Sequence, residues 1–230
     1  MCGRYVIASD PTSYADYFGV ESVKTEALET NYNVAPTDPV YAVAEHDGER
    51  LLGRFRWGLI PHWAKDSKGI HINARAETVA TKPLFRDSFR RKRCILPADG
   101  FYEWEPKDRG RLPHFVYLAD KRPMGFAGIW SSWKNPDDGE WIRTCAIVTT
   151  TANAAISRIH SRMPVVLRPG HWDAWLDRSN LDVSELETFL LPLPAADTRE
   201  HPVSTLVNNV RNNLVENIEP LPPPPNGTDR

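Results

Sequence analysis

The sequence predicts an α+β fold: a single domain with a mixed or antiparallel β-sheet, or barrel-like, core and short helices at its periphery. Three observations predict it. Short β-type runs recur along most of the 230 residues, separated by turn residues. The helical stretches are few and short, and they do not alternate with strands as βαβ units would. No internal repeat and no Pro/Gly/Ser linker interrupts the middle, so one domain over residues 1–218 is expected, followed by a proline-rich disordered tail over 219–230.

The elements follow in order. "GRYVIA" is a strand candidate, and "PTSYADYFG" a short helix that opens on proline, a residue suited to a first helical turn. "PVYAVAEHDGERLLGRFRWG" reads as a hairpin about Asp47-Gly48, a strong turn pair. "RCILPADGFYEWEP" and "LPHFVYLAD" are further strands. "GFAGIW" and "EWIRTCAIVTT" continue the series around the turn "NPDDG". "TANAAISRIH" is expected to be a helix with a threonine cap, and "PGHWDAWLD" and "DVSELETFLL" two more helices. Trp130, Trp172 and Trp175 lie in apolar strand or helix patterns and are expected in the core.

Composition narrows the functional classes. Apolar residues at 41% suffice for a real core. The net charge of −2 means that any nucleic-acid-binding surface must be local. The N-terminus lacks a signal-peptide pattern, no apolar run approaches the roughly 20 residues that span a bilayer, and Cys2 stands where myristoylation needs glycine. A cytoplasmic protein without a membrane partner is expected. The three cysteines, Cys2, Cys94 and Cys145, are too far apart in sequence for a zinc knuckle or a redox pair, so neither a metal nor a cofactor is expected. Cys94 and Cys145 sit in apolar β-type runs and read as small core residues. Cys2 is different: removal of Met1 places a thiol and a free α-amine on one residue.

Four polar clusters stand out. "INARAET" holds Asn73, Arg75 and Glu77; read alone it is a helix start with a solvated charge pair. In "GFYEWEP", Glu103 lies between Tyr102 and Trp104; alternation puts it on the other face with Phe101 and Glu105. Apolar surroundings would raise its pKa and suit it to general acid catalysis, whereas this stretch alone favours an exposed glutamate. "IHSRMP" places His160 and Arg162 at the end of an expected helix, where a histidine favours the dipole. "RDSFRRKRC" (Arg86, Arg90, Arg91, Lys92, Arg93) is either a phosphate site or the solvated basic end of a helix.

The set decides more than its members. "MCGRY", "NYNVAP", "RWGLIP", "INARAET", "GFYEW", "IHSRMP" and "HPVS" occur in that order. Over about residues 2–215 the chain resembles the SRAP (SOS response-associated peptidase) family, abasic-site sensors of single-stranded DNA. The resemblance implies the SRAP fold, removal of Met1, and a covalent bond from Cys2 to the ring-opened aldehyde of an abasic site, which shields the lesion. By motif position it implies Asn73, Glu103 and His160 as active-site residues beside Cys2. Arg4, Arg75 and Arg162 match positions associated with phosphate contacts, and Pro36 and Trp63 match loops near the flanking bases. Some members carry a second tryptophan after the position of Trp63; here Ala64 stands there. A monomer, nucleoid-associated in a bacterial cell, is the corresponding expectation.

The chemistry explains a terminal cysteine. A 1,2-aminothiol condenses with an aldehyde first through nitrogen, as a Schiff base, and then through sulfur, closing a thiazolidine ring. An internal cysteine makes only a reversible thiohemiacetal. An α-amine, with a pKa near roughly 8, has an appreciable neutral fraction at neutral pH. Imine formation expels water, for which Glu103 is the candidate acid. His160 suits sugar ring opening or crosslink reversal, and Asn73 can orient the amine or the lesion hydroxyl. The rival reading is an N-terminal nucleophile hydrolase, of amidotransferase or peptidase type, using the same thiol. Such amidotransferases usually carry an internal Asn-Gly loop, whereas the only Asn-Gly pair here is Asn226-Gly227 in the tail. A plain single-strand-binding module with an idle Cys2 is the third reading.

Overall fold

The computed structural model of the chain describes residues 2–222. In order the elements are β1 (Tyr5–Ile7), α1 (Pro11–Phe18), β2 (Ser22–Val23), β3 (Asn31–Val34), β4 (Pro39–His46), β5 (Glu49–Trp57), β6 (Asn73–Arg75), α2 (Ala76–Val79) and α3 (Arg86–Arg91). They continue with β7 (Arg93–Ala98), β8 (Gly100–Pro106), β9 (Arg111–Leu118), β10 (Met124–Lys134), β11 (Trp141–Thr151), β12 (Arg162–Pro164), α4 (Trp172–Leu176), α5 (Val183–Thr188) and β13 (Thr198–Pro202). The expected α+β class and barrel-like core are present. Strands β11-β10-β7-β4-β5 are paired in sequence, and β5 returns to pair with β11, closing a five-membered ring. That last pairing is parallel, so the sheet is mixed. A second, five-stranded sheet runs β13-β9-β8-β1-β3.

Local chemistry explains the elements read correctly. Asp47 and Gly48 both have positive φ (54° and 83°), the geometry of a type I′ turn, and they join β4 to β5 in the expected hairpin. Helix α1 starts where Asp10 accepts the Thr12 and Ser13 N–H groups and Pro11 fits the first turn; it stops at Gly19, which is left-handed. Between the two sheets Tyr5 packs edge-on against Trp57 at 5.1 Å and Phe126 at 5.8 Å. Cys94 and Cys145 are fully buried, and burial pushes both thiols up. Trp172 and Trp175 are buried and Trp130 is half-buried against the core.

Two expectations change. Residues 151–160 are not a helix. Asn153 takes over the local hydrogen bonding: its Oδ1 accepts the Ile156 N–H, while its Nδ2 donates to Leu193 O and to Thr198 Oγ1. The chain passes through two successive turns instead, so His160 has no helix dipole behind it. The basic run 86–93 is neither wholly a phosphate site nor wholly solvated. Arg93 is buried and donates to five backbone carbonyls, of Phe89, Arg90, Trp175, Asp177 and Asn180, which ties α3 to the segment after α4. Lys92 lies 5.3 Å from the Trp130 ring centre, and Arg86, Arg90 and Arg91 are exposed. Of the expected tail, residues 223–230 lie outside the described residues, while the Leu221 N–H donates to Pro202 O at 2.9 Å. No helix among the described residues is long and apolar enough to cross a membrane.

Candidate functional site

The site is assembled where the chain enters the five-stranded sheet. β1 pairs antiparallel with β8, Tyr5 opposite Phe101. The Tyr102 N–H donates to Arg4 O at 3.0 Å, so the ladder continues toward the N-terminus and carries Cys2 to the level of Glu103. Close approach of β8 to β9 needs Gly100: a Cβ there would stand 2.4 Å from the Phe115 ring and 2.6 Å from Val116 O.

Asn73 comes from the other sheet. β6 runs parallel to β11, with Asn73 opposite Ile147, and Asn73 Nδ2 donates to Cys2 O at 2.8 Å. Its Oδ1 is buried without a partner among the described residues, an acceptor left for an incoming group. Cys2 is itself fully buried, and its thiol makes a weak 3.8 Å contact to Arg4 O. Burial and then the charge of Glu103 push that thiol up, so the two groups feel each other electrostatically.

Glu103 is 2% exposed, which overturns the exposed-face reading of its strand. Desolvation raises its carboxyl to about 7. A carboxyl poised there is protonated often enough near neutral pH to give a proton and ionised often enough to take one. His160 stands two residues before β12. Its Nδ1 accepts the Arg162 N–H at 2.9 Å, which places the ring proton on Nε2. Burial first, and then surrounding positive charge, lowers its pKa, so it is neutral near pH 7.

The expected phosphate ligands differ in their freedom. Arg75 is exposed. Arg162 is gripped by both carboxylate oxygens of Glu77 and also donates to Thr149 O, so the "INARAET" and "HSRMP" segments are clasped across β11. Arg162 in turn holds the Glu77 carboxyl below its ordinary range. Arg4 donates to Asn33 Oδ1 at 2.8 Å and to Val207 O at 3.0 Å. Trp63 is exposed, its loop fixed by the Trp133 indole N–H bonded to Ala64 O at 2.8 Å. Pro36 is half-buried beside Thr37, whose φ of 81° is strained for a β-branched residue. The Thr37 N–H donates to Trp57 O at 2.7 Å and holds the turn in that conformation.

Sequence reasoning missed Asn33, the buried amide that accepts from Arg4 and donates to Val207 O, Asn209 O and Asn212 O. Its one signal was its place in "NYNVAP". It also missed His114, which faces Glu103 across the β8–β9 ladder. Among the described residues no group of three or more His, Cys, Asp or Glu side chains is placed to hold a metal ion. Surface clefts of about 360 Å³, lined in part by Tyr17, Arg122 and Arg168, and of about 390 Å³, lined in part by Asp38, Arg54 and Asn213, share no residue with this cluster. Chemistry rather than cleft size singles out the neighbourhood of Cys2.

Comparison with known proteins identifies the family of the chain. The family model described as SOS response associated peptidase (SRAP) matches residues 1–210. The chain is 40% identical over 223 residues to the abasic site processing protein YoqW of Bacillus subtilis (strain 168), covering 95% of this chain and 99% of that one. It is 32% identical over 228 residues to the abasic site processing protein YedK of Escherichia coli (strain K12), covering 96% and 100%. It is 33% identical over 224 residues to the abasic site processing protein HMCES of Gallus gallus, covering 83% of this chain and 66% of that one. A crystal structure of a protein from Bacteroides thetaiotaomicron matches with a TM-score of 0.86 at 26% identity, over 96% of this chain and all of that one.

Proposed function

We propose that this chain, which belongs to the SOS response-associated peptidase family, processes abasic sites in single-stranded DNA by capturing their ring-opened aldehyde on Cys2 once Met1 has been removed. The observation that carries the reading is the buried Glu103 carboxyl, raised to about 7, set against an N-terminal cysteine whose carbonyl is held by Asn73. A buried carboxyl of that kind has a cost that a surface strand position would not impose, and its use is proton transfer.

The steps balance. The Cys2 amine adds to the aldehyde carbon, giving a carbinolamine. Glu103 protonates the departing hydroxyl, and one water leaves as the Schiff base forms. Sulfur then adds to the carbon of the protonated Schiff base as the thiol proton passes to the Glu103 carboxylate, and a neutral thiazolidine ring closes. The raised thiol pKa keeps sulfur protonated before this step, and Glu103, ionised after giving its proton, is placed to accept the thiol proton. Neutral His160 can pull the proton from the sugar hydroxyl and favour the open aldehyde, or reverse the sequence. Arg75 supplies an exposed cation for the backbone, and Trp63 a flat face for a flanking base. Arg4 and Arg162, fixed by Asn33 and Glu77, present any remaining donors with little entropy to lose.

The test is a denaturing gel with single-stranded DNA that carries one abasic site. A heat-stable adduct is expected with the abasic strand and none with an intact strand. Hydrolysis of a glutamine amide or a peptide by Cys2, without an adduct, would instead make the chain an N-terminal nucleophile hydrolase.

A further inference from the structure

His160 sits on a segment that no regular element holds. Residues 152–161 leave β11 and return to β12 through two turns, closed at the base by the Ala152 N–H donating to Ser161 O at 3.0 Å. Asn153 is anchored and Ile156 is buried, which fixes the first half of the excursion, and Ile159 is buried beside His160 in the second. The second half has a different tie. Arg158, half-exposed, reaches back to the five-stranded sheet. Its Nη1 lies 3.2 Å from Glu105 Oε2, and its Nη2 donates to Glu200 Oε1.

Those two carboxylates are themselves locked. His114 is buried between them, with Nδ1 2.6 Å from Glu200 Oε2 and Nε2 3.0 Å from Glu105 Oε2. Lys107 also pairs with Glu105 at 2.9 Å. His114 is the direct cross-strand partner of Glu103, and residues directly opposite on antiparallel strands point to the same face, with Cβ atoms about 4.5–5.5 Å apart. Glu105, two residues on from Glu103, shares that face too. One continuous network thus runs from the strand pair that carries Glu103, through His114, Glu105 and Glu200, to the turn that carries His160.

We propose that Arg158 is a positioning residue: it latches the His160 turn onto Glu105 and Glu200 and so sets His160 against Glu103 in the reacting site. The inference rests on the reading of Glu103 and His160 as the groups that move protons. A half-exposed ion pair contributes little to stability. Its effect is geometric, and small misplacements of a reacting group are expensive in rate.

The experiment measures single-turnover crosslinking to abasic single-stranded DNA for the wild type, Arg158→Ala, Arg158→Lys, Glu200→Gln, His160→Ala and the Arg158→Ala/His160→Ala double variant. Non-covalent binding to an intact strand is measured at several salt concentrations. Arg158→Ala is expected to slow crosslinking about 10-fold, with unchanged melting temperature, affinity and salt slope. Glu200→Gln, which loosens the latch from its other side, is expected to reproduce the defect, and Arg158→Lys to recover most of the rate. The double variant is expected to react no more slowly than His160→Ala, because the latch acts through the histidine. A wild-type rate in Arg158→Ala overturns the proposal, and so does full additivity in the double variant. Weaker binding with a shallower salt slope also overturns it and makes Arg158 a phosphate contact instead. If the wild type forms no adduct, or if His160→Ala crosslinks and reverses normally, it is the underlying reading of the site that fails.

Discussion

Replacing Glu103 by glutamine keeps the size of the side chain and removes its proton chemistry, so it separates two consequences of one buried carboxyl. The first is kinetic. General acid catalysis is worth about 10²–10⁴-fold, and crosslinking by Glu103→Gln should be slower than wild type by at least about 100-fold while DNA affinity stays within about 3-fold. The second is thermodynamic. In the folded chain the carboxyl titrates at about 7 against an ordinary 4.5, because burial disfavours its charged form. Between those values the folded state binds more protons than the unfolded one, so stability is highest below the ordinary value and falls as pH rises to about 7. The shift corresponds to about 3 kcal/mol at 1.36 kcal/mol per unit. Denaturant titrations at pH 5 and pH 8 should show the variant gaining about 2–3 kcal/mol on the wild type between the two conditions. A gap that does not change with pH would mean that the carboxyl is solvated. A wild-type crosslinking rate at every pH would return Glu103 to an ordinary strand residue.

Three further outcomes are expected. Cys2→Ala should lose the heat-stable adduct yet keep most of its non-covalent, salt-sensitive DNA binding; the remaining amine should give a Schiff base trapped only with borohydride, seen on the same gel. His160→Ala should slow formation or exchange of the crosslink, measured by chasing a preformed adduct with fresh abasic strand; normal rates in both directions would remove the histidine from the chemistry. Arg93→Gln should cost about 3–5 kcal/mol in denaturant unfolding, because it takes a buried cation away from the carbonyls that surround it; a loss below about 1 kcal/mol, the worth of one ordinary hydrogen bond, would contradict that reading.

The sequence made the local features legible and hid the non-local ones. Asp47-Gly48 announced its hairpin because two adjacent residues with positive φ leave few other options. Cys94 and Cys145 were readable as core because their neighbours are apolar. The ring that closes through β5 and β11 was not readable as a pairing, since no local pattern says that Thr144 will lie beside Arg56. The helix expected at 151–160 failed because Asn153 bonds to Leu193 and Thr198, some 40 residues away, and that tie outweighs a local helical pattern. For the candidate site, the motifs proposed Cys2, Asn73, Glu103 and His160. They did not give the state of Glu103, because strand alternation assigns a face and only the packing of Cys2 and β9 decides whether that face is wet. Nor did they show that Arg4 and Arg162 are held by Asn33 and Glu77, partners 29 and 85 positions away.

The central claim is that Cys2 joins the lesion through both of its heteroatoms, and intact mass spectrometry of the adduct tests it most directly. Protein made in cells should lack Met1. The adduct should weigh the sum of this processed chain and the abasic strand less one water, survive heat without a reductant, and map on digestion to the peptide that begins at Cys2. An adduct of that mass on another residue would contradict the account, as would a chain that retains Met1 and crosslinks at the full rate.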